Sequence, residues 1–175
     1  MKRIILCGKA ASGKDYMRDY LHKQGLELEV SFTTRPMRVG EVPGYTYNYV
    51  SREQFLNLLH GGNMYEHVEF AGKYYGTSRE NWEKPCDVFI FTPTGLSQVN
   101  EDDRANCLVV YFDIPYVVRK ERLRERSDWD SVARRLRADE EDFEGFCDYD
   151  LRVTNPNYDP DALFEIIKAL RGDAI

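Results

Sequence analysis

The run Gly8-Lys9-Ala10-Ala11-Ser12-Gly13-Lys14-Asp15 carries the clearest chemistry in the sequence. Glycines at both ends let the backbone take angles closed to other residues, so successive amides can turn inward at a helix N-terminus and hold a polyphosphate. Lys14 directly follows the second glycine and extends toward the β and γ phosphates, where charge must be held during transfer. The position after it, ordinarily a Ser or Thr whose hydroxyl ligates magnesium, is Asp15. A carboxylate beside a triphosphate needs a cation between them, so Asp15 either binds magnesium, directly or through one of its waters, or complements the helix dipole in the first turn. A second basic group follows in Arg35 and Arg38. Pro36 between them excludes a helix, and paired planar forks suit a phosphate dianion.

These groups need a strand, a turn and a helix behind the loop, and the flanking sequence supplies them. Ile4-Ile5-Leu6-Cys7 is continuously apolar, as for a parallel strand covered on both faces. Tyr16, Met17, Tyr20 and Leu21 have helical spacing, with Gly25 as the stop. Residues 26–32 alternate Leu26, Leu28, Val30 and Phe32 against Glu27, Glu29 and Ser31, which predicts a strand with one wet face. The segment from Ser31 to Gly44 is a structured loop, and Tyr45 to Val50 reads as a strand. Ser51 and Gln54 form a capping box for an amphipathic helix carrying Phe55, Leu58 and Leu59. Met64 to Phe70 and Lys73 to Tyr75 read as strands, giving a small, mostly antiparallel subdomain over about residues 31–81 that is expected to move relative to the rest. Buried strands are expected at Val88–Phe91, Cys107–Phe112 and Leu151–Thr154. Asp159-Pro160 caps a terminal helix with Leu163, Ile166, Ile167 and Leu170 on one face, and Gly172 ends it. From Pro115 the chain turns helical and carries many Arg on both sides of a polar break at residues 127–130, more than a solvated charge face accounts for.

A chain of 175 residues buries one sizeable core, so a single α/β domain with insertions is expected. Its net charge of −6 argues against nonspecific nucleic-acid binding. Cys7, Cys86, Cys107 and Cys147 show neither metal-ligand nor disulfide spacing, which points to a reducing, cytoplasmic setting. No apolar run approaches membrane-spanning length, and the opening residues are too short for a signal segment, so no membrane association is expected.

From Ser31 to Thr77 the sequence resembles the guanylate kinase family. The matching residues are Ser-x-Thr-Thr-Arg-x-x-Arg-x-Gly-Glu-x-x-Gly-x-x-Tyr from Ser31, then Tyr49-Val50, Glu66 and Gly72-x-Tyr74-Tyr75-Gly76-Thr77. The resemblance implies transfer of the γ-phosphoryl of ATP to GMP or dGMP with Mg2+. It also implies a P-loop NTPase-type parallel sheet flanked by helices (residues 1–30, 82–118 and 143–175), a mixed nucleotide-monophosphate subdomain (31–81) and an Arg-rich helical lid (about 119–142). On matching positions Arg35, Arg38, Tyr47 and Tyr75 would hold the acceptor phosphate, and Ser31, Glu66 and Thr77 would read guanine. Tyr47 and Tyr75 can also be ordinary packing aromatics, and Glu66 alone would read as an exposed strand residue. Guanine offers N1–H and N2–H donors beside O6, so a carboxylate flanked by hydroxyls complements that edge. In the lid, Arg126 and Arg135 would reach the transferring phosphoryl, and the connecting loop is shorter than the family's. Asn155 is similar to the family's adenine-side residue, with a turn role before Pro156 as the alternative. The family's Asp-x-Asp-x-x-Gly run is absent, with Ile90 and Thr92 in place of the aspartates, which makes Asp15 the candidate metal ligand. The altered Thr92 region leaves room for another deoxynucleoside monophosphate as acceptor. A noncatalytic binding module is the remaining alternative, and the intact Gly8, Gly13 and Lys14 argue against it.

Overall fold

The computed structural model describes residues 1–70, 72–124 and 129–172; the side chains of residues 129–132, 134 and 135 lie outside that description. Its centre is a parallel sheet in the order β6-β1-β7-β8, made of β1 (Arg3–Gly8), β6 (Val88–Ile90), β7 (Cys107–Phe112) and β8 (Leu151–Val153). Ile4 to Cys7 are wholly buried, as their unbroken apolar run requires of a strand covered on both faces.

Each face of the sheet has its own core. On one side Ile4, Leu6, Leu108 and Val110 meet Met17 and Leu21 of α1 (Lys14–Lys23) and Leu163 and Ile167 of α8 (Pro160–Arg171). On the other, Ile5, Cys7 and Val109 meet Trp82 of α3 (Arg79–Glu83), Leu96 of α4 (Pro93–Leu96) and Phe143, which follows α7 (Trp129–Asp142). Burial drives the Cys7 thiol pKa far up, so this residue acts as a small hydrophobe. All four cysteines are unpaired.

A second sheet, β3-β2-β5-β4, comprises β2 (Phe32–Thr33), β3 (Asn48–Tyr49), β4 (Met64–Phe70) and β5 (Lys73–Ser78). It is antiparallel at β2–β5 and β4–β5 and parallel at β2–β3. Helix α2 (Arg52–His60) starts at the expected capping box, with Ser51 Oγ accepting from the Gln54 amide and the Gln54 side chain accepting from the Ser51 amide.

The expected strand over residues 26–32 is instead the crossing between the sheets. Leu28 bridges Val88 of the first sheet and the Glu29 amide donates to the Val88 carbonyl, whereas Phe32 and Thr33 belong to the second. The change of sheet breaks the alternation. Glu29, on the face expected to be wet, is 8% exposed, less than Leu28, Val30 or Phe32. Two more helices, α5 (Glu101–Ala105) and α6 (Tyr116–Arg124), lie on either side of β7 in the chain.

Candidate active site

The loop from Gly8 to Gly13 leaves the carboxyl end of β1, a central strand of the parallel sheet, and runs into α1. Gly13 caps α1 with φ 97°, a left-handed conformation that a side chain would strain, and Ala11 also has a positive φ of 59°. Gly8 is required for space. A Cβ there would lie 2.5 Å from Ser12 Oγ and 3.2 Å from the Phe112 carbonyl oxygen.

Four side chains from distant sequence brace this loop. Arg122 of α6 donates to the Ala11 carbonyl (3.0 Å) and the Pro156 carbonyl (2.6 Å), and Tyr158 donates its hydroxyl to the Gly13 carbonyl (2.9 Å). From α7, Asp139 accepts from the Ala10 amide (2.7 Å) and Glu140 pairs with Lys9 (2.6 Å). Arg119 is 1% exposed, donates to the Ile114 carbonyl (3.0 Å) and pairs with Glu140 (2.5 Å). The Arg-rich segment is therefore partly internal structure. Glu140 is exposed, and the buried Asp139 is the second carboxylate near the Arg119 guanidinium, at 3.7 Å.

Beside the loop, a cleft takes lining residues from both sheets. Gly8, Ala10, Lys14 and Asp15 line its loop end; Ser31, Tyr47, Glu66, Tyr75 and Gly76 line the side made by the second sheet. Ile90, Phe91 and Thr92 form part of its wall, as does Arg18. Lys14 Nζ lies 3.9 Å from an Asp15 carboxylate oxygen. Thr92 caps α4, its hydroxyl accepting from the Gly95 amide (3.2 Å), so this departure from the family pattern has a local structural role.

At the base of the cleft Glu66 is buried, its Oε1 accepting from the Thr77 amide (2.8 Å). Burial, with the Glu29 charge nearby, pushes its pKa up to about 8. Gly95 packs directly against it, so closely that a Cβ there would sit 2.7 Å from Glu66 Oε2. Ser31 Oγ donates to Glu29 (2.6 Å) and lies 3.4 Å from Thr77 Oγ1.

Arg35 is 9% exposed and forms a two-pronged pair with Glu41 (2.7 and 2.9 Å), which holds the Glu41 carboxyl down at about 2 against its own burial. The guanidinium stands 5.4 Å from the Tyr47 ring centre, and that ring lies 6.0 Å from Tyr75. Arg35, Tyr47 and Tyr75 are thus together. Arg38 is exposed, its amide donates to Glu41 (2.7 Å), and neither arginine is among the cleft-lining residues. Asn155 accepts from the Asn157 amide (2.9 Å), the turn geometry that was its alternative reading. Arg126 and the Arg135 side chain lie outside the described residues.

Arg18, Glu29 and Asp139 escaped sequence reasoning because each reaches the site through folding, with no local pattern. Among the described residues no cluster of three or more His, Cys, Asp or Glu side chains could hold a metal ion. No helix of the described residues is long and apolar enough to cross a membrane.

The family model for guanylate kinase matches residues 1–171. The guanylate kinase of Nostoc sp. is 33% identical over 98% of this chain and 90% of its own length. That of Streptococcus mutans is 30% identical over 87% and 77%. Among solved structures, guanylate kinase from Anaplasma phagocytophilum superposes with a TM-score of 0.72 at 24% identity, covering 97% of this chain and 86% of that one, a likeness of fold.

Proposed function

The chain belongs to the guanylate kinase family, and from that premise we propose that it moves the γ-phosphoryl of ATP to GMP or dGMP, giving ADP and GDP or dGDP. The observation that carries this reading is a cleft with the phosphate loop and Lys14 at one end and Ser31 and Glu66 at the other, the buried Thr77 behind them within hydrogen-bond reach of both. Phosphoryl transfer asks the protein for in-line placement, charge stabilisation and exclusion of water rather than covalent chemistry.

In this mechanism Lys9 to Lys14 bind the ATP phosphates, with the Lys14 ammonium holding the charge that builds as the phosphoryl leaves. The Arg35 fork, positioned by Glu41 and the Tyr47 ring, exchanges part of that pairing for the acceptor phosphate, assisted by Arg38, Tyr47 and Tyr75. Arg126 and Arg135 close over the transferring group, and Asn155 lies on the adenine side. Residues 1–30, 82–118 and 143–175 serve as the core, 31–81 as the acceptor subdomain and about 119–142 as the lid, whose closure excludes water.

One exposed carboxylate beside Lys14 fits a magnesium ion that takes its other ligands from substrate phosphates and water, so Asp15 is assigned to hold it. Bound there, Mg2+ would neutralise the β and γ oxygens.

A coupled ATP-to-ADP assay across GMP, dGMP, AMP, CMP, UMP and dTMP tests the reading. Turnover led by GMP and dGMP is expected; turnover with none of them would overturn it.

A further inference from the structure

The mechanism above leaves one cation of the cleft without a task. Among the described residues that line it, only Lys14 and Arg18 carry positive charge, against the acids Asp15, Glu29, Glu66 and Asp139; Arg35 and Arg38 stand outside the lining. Lys14 is committed to the donor phosphates. A monophosphate dianion arriving beside Tyr47 and Tyr75 therefore meets one guanidinium within the cleft, that of Arg18.

The local structure holds that guanidinium in place. Arg18 follows Lys14 by four residues on α1, so both project from one face of the helix. Adjacent helical residues point roughly 100° apart, and Arg18 reaches Asp19 only by lying across the helix surface. There Nε and Nη2 both donate to Asp19 Oδ1 (2.9 and 2.6 Å), while Nη1 makes no hydrogen bond to a described residue. The Tyr45 ring centre lies 5.6 Å from the guanidinium carbon, and the Tyr45 hydroxyl donates to the same Asp19 oxygen (3.4 Å). His22, one turn further along α1, sets its ring 5.7 Å from that of Tyr45. The Arg18 side chain is only 12% exposed, unlike a solvated charge on a surface helix. Tyr45 belongs to the acceptor loop, and the next two residues, Thr46 and Tyr47, line the cleft, so the fork stands at the seam between α1 and that loop.

We propose that Arg18 is a further ligand of the acceptor phosphate, donating from Nη1 to a phosphate oxygen while Asp19 and Tyr45 orient the fork. The inference rests on the reading of this cleft as a nucleotide-monophosphate site and adds to it a substrate contact from α1. Lys14 and Arg18 are one turn apart, about 6 Å along the axis, so phosphates held by the two lie side by side, as transfer between them requires. The Arg35 fork begins closed on Glu41, whereas the Nη1 edge of Arg18 has no partner to give up. Its counter-charge, Asp19, is 43% exposed and screened by water, which leaves Arg18 with attraction for a dianion.

Initial-rate kinetics of Arg18→Met, Arg18→Lys and Asp19→Asn with ATP and each of GMP, dGMP and IMP test the assignment. Loss of a charge-assisted hydrogen bond to phosphate weakens binding on the order of tenfold to a hundredfold, so Arg18→Met should raise KM for all three acceptors by one common factor of that size. The factor is common because the three differ in sugar or base and keep the phosphate. KM for ATP should change less than about twofold. Arg18→Lys, which keeps the charge, should recover part of the loss. Asp19→Asn leaves the guanidinium in place, and its loss should be at least about threefold smaller than that of Arg18→Met. A KM for GMP in Arg18→Met within about twofold of wild type overturns the proposal. So does a factor that differs between GMP and dGMP or between GMP and IMP, which would put Arg18 on the sugar or the base. An equal loss in Asp19→Asn also overturns it, reducing Arg18 to a strap between α1 and the loop. If the wild-type chain binds the acceptors and transfers no phosphoryl, the kinase reading alone fails and calorimetry carries the same comparison; if it binds none of them, the cleft is not an acceptor site and the inference falls with it.

Discussion

Two carboxyl groups whose pKa values are raised by folding make the protein's stability fall as pH rises. The unfolded chain titrates Glu29 and Glu66 near 4.5, the folded chain near 7 and 8. Between those limits the native state binds more protons than the unfolded one, so the stability they contribute is complete below about pH 4.5 and lost as pH rises through about 8. At about 1.4 kcal/mol per pKa unit, the shift of Glu29 corresponds to about 3 kcal/mol and that of Glu66 to about 5. The Glu29 charge is itself one cause of the Glu66 shift, so the combined loss falls below the sum, on the order of 3 to 8 kcal/mol. That is a large share of the roughly 5 to 15 kcal/mol that holds a domain together. Glu41 and Glu140, whose pKa values are lowered by Arg35 and by Lys9 with Arg119, work in the opposite sense and act below the window. Urea unfolding at about pH 6 and about pH 8.5, for wild type and Glu29→Gln, measures the slope. The variant should lose markedly less stability across the interval and be the more stable protein at the alkaline end. Equal slopes, or a wild type that gains stability with pH, would refute the reasoning.

Three further outcomes follow from the site. Lys14→Ala should abolish phosphoryl transfer while leaving the thermal midpoint near that of wild type, since its ion pair is a long 3.9 Å approach to the exposed Asp15; retained turnover would contradict the loop assignment. Gly95→Ala places a methyl 2.7 Å from Glu66 Oε2 and should raise KM for GMP about tenfold or more with KM for ATP little changed, read by initial-rate kinetics. Asp15→Ser restores the usual loop residue, and a magnesium titration of its activity should show an altered metal requirement; an unchanged requirement and rate would remove Asp15 from the metal site.

What could be seen in the sequence was whatever depends on near neighbours along the chain. The strand-loop-helix around Gly8 to Lys14, the Ser51–Gln54 capping box and the Asp159-Pro160 start and Gly172 stop of α8 are local devices, and the structure has them where their spacing puts them. The strand Cys107–Phe112 has the limits its apolar run predicted. Residues 26–32 failed because alternation presumes one strand in one sheet, and here the chain changes sheets between Glu29 and Phe32, turning a glutamate inward. Helices α3, α4 and α5 span four or five residues each, too few to show a helical period. The second sheet mixes parallel and antiparallel pairing because β3 returns beside β2 after the Arg35–Gly44 loop, a choice made by tertiary contacts. Arg119 read as part of a charge run, and only folding against Ile114 and Glu140 made it internal.

The account stands most directly on the path of one phosphoryl group. Incubation of the protein with ATP labelled at the γ phosphorus and unlabelled GMP, followed by separation of the products, should place the label in the β position of GDP with ADP formed in equal amount. Label recovered as inorganic phosphate, or ATP left intact while GMP is bound, would contradict it.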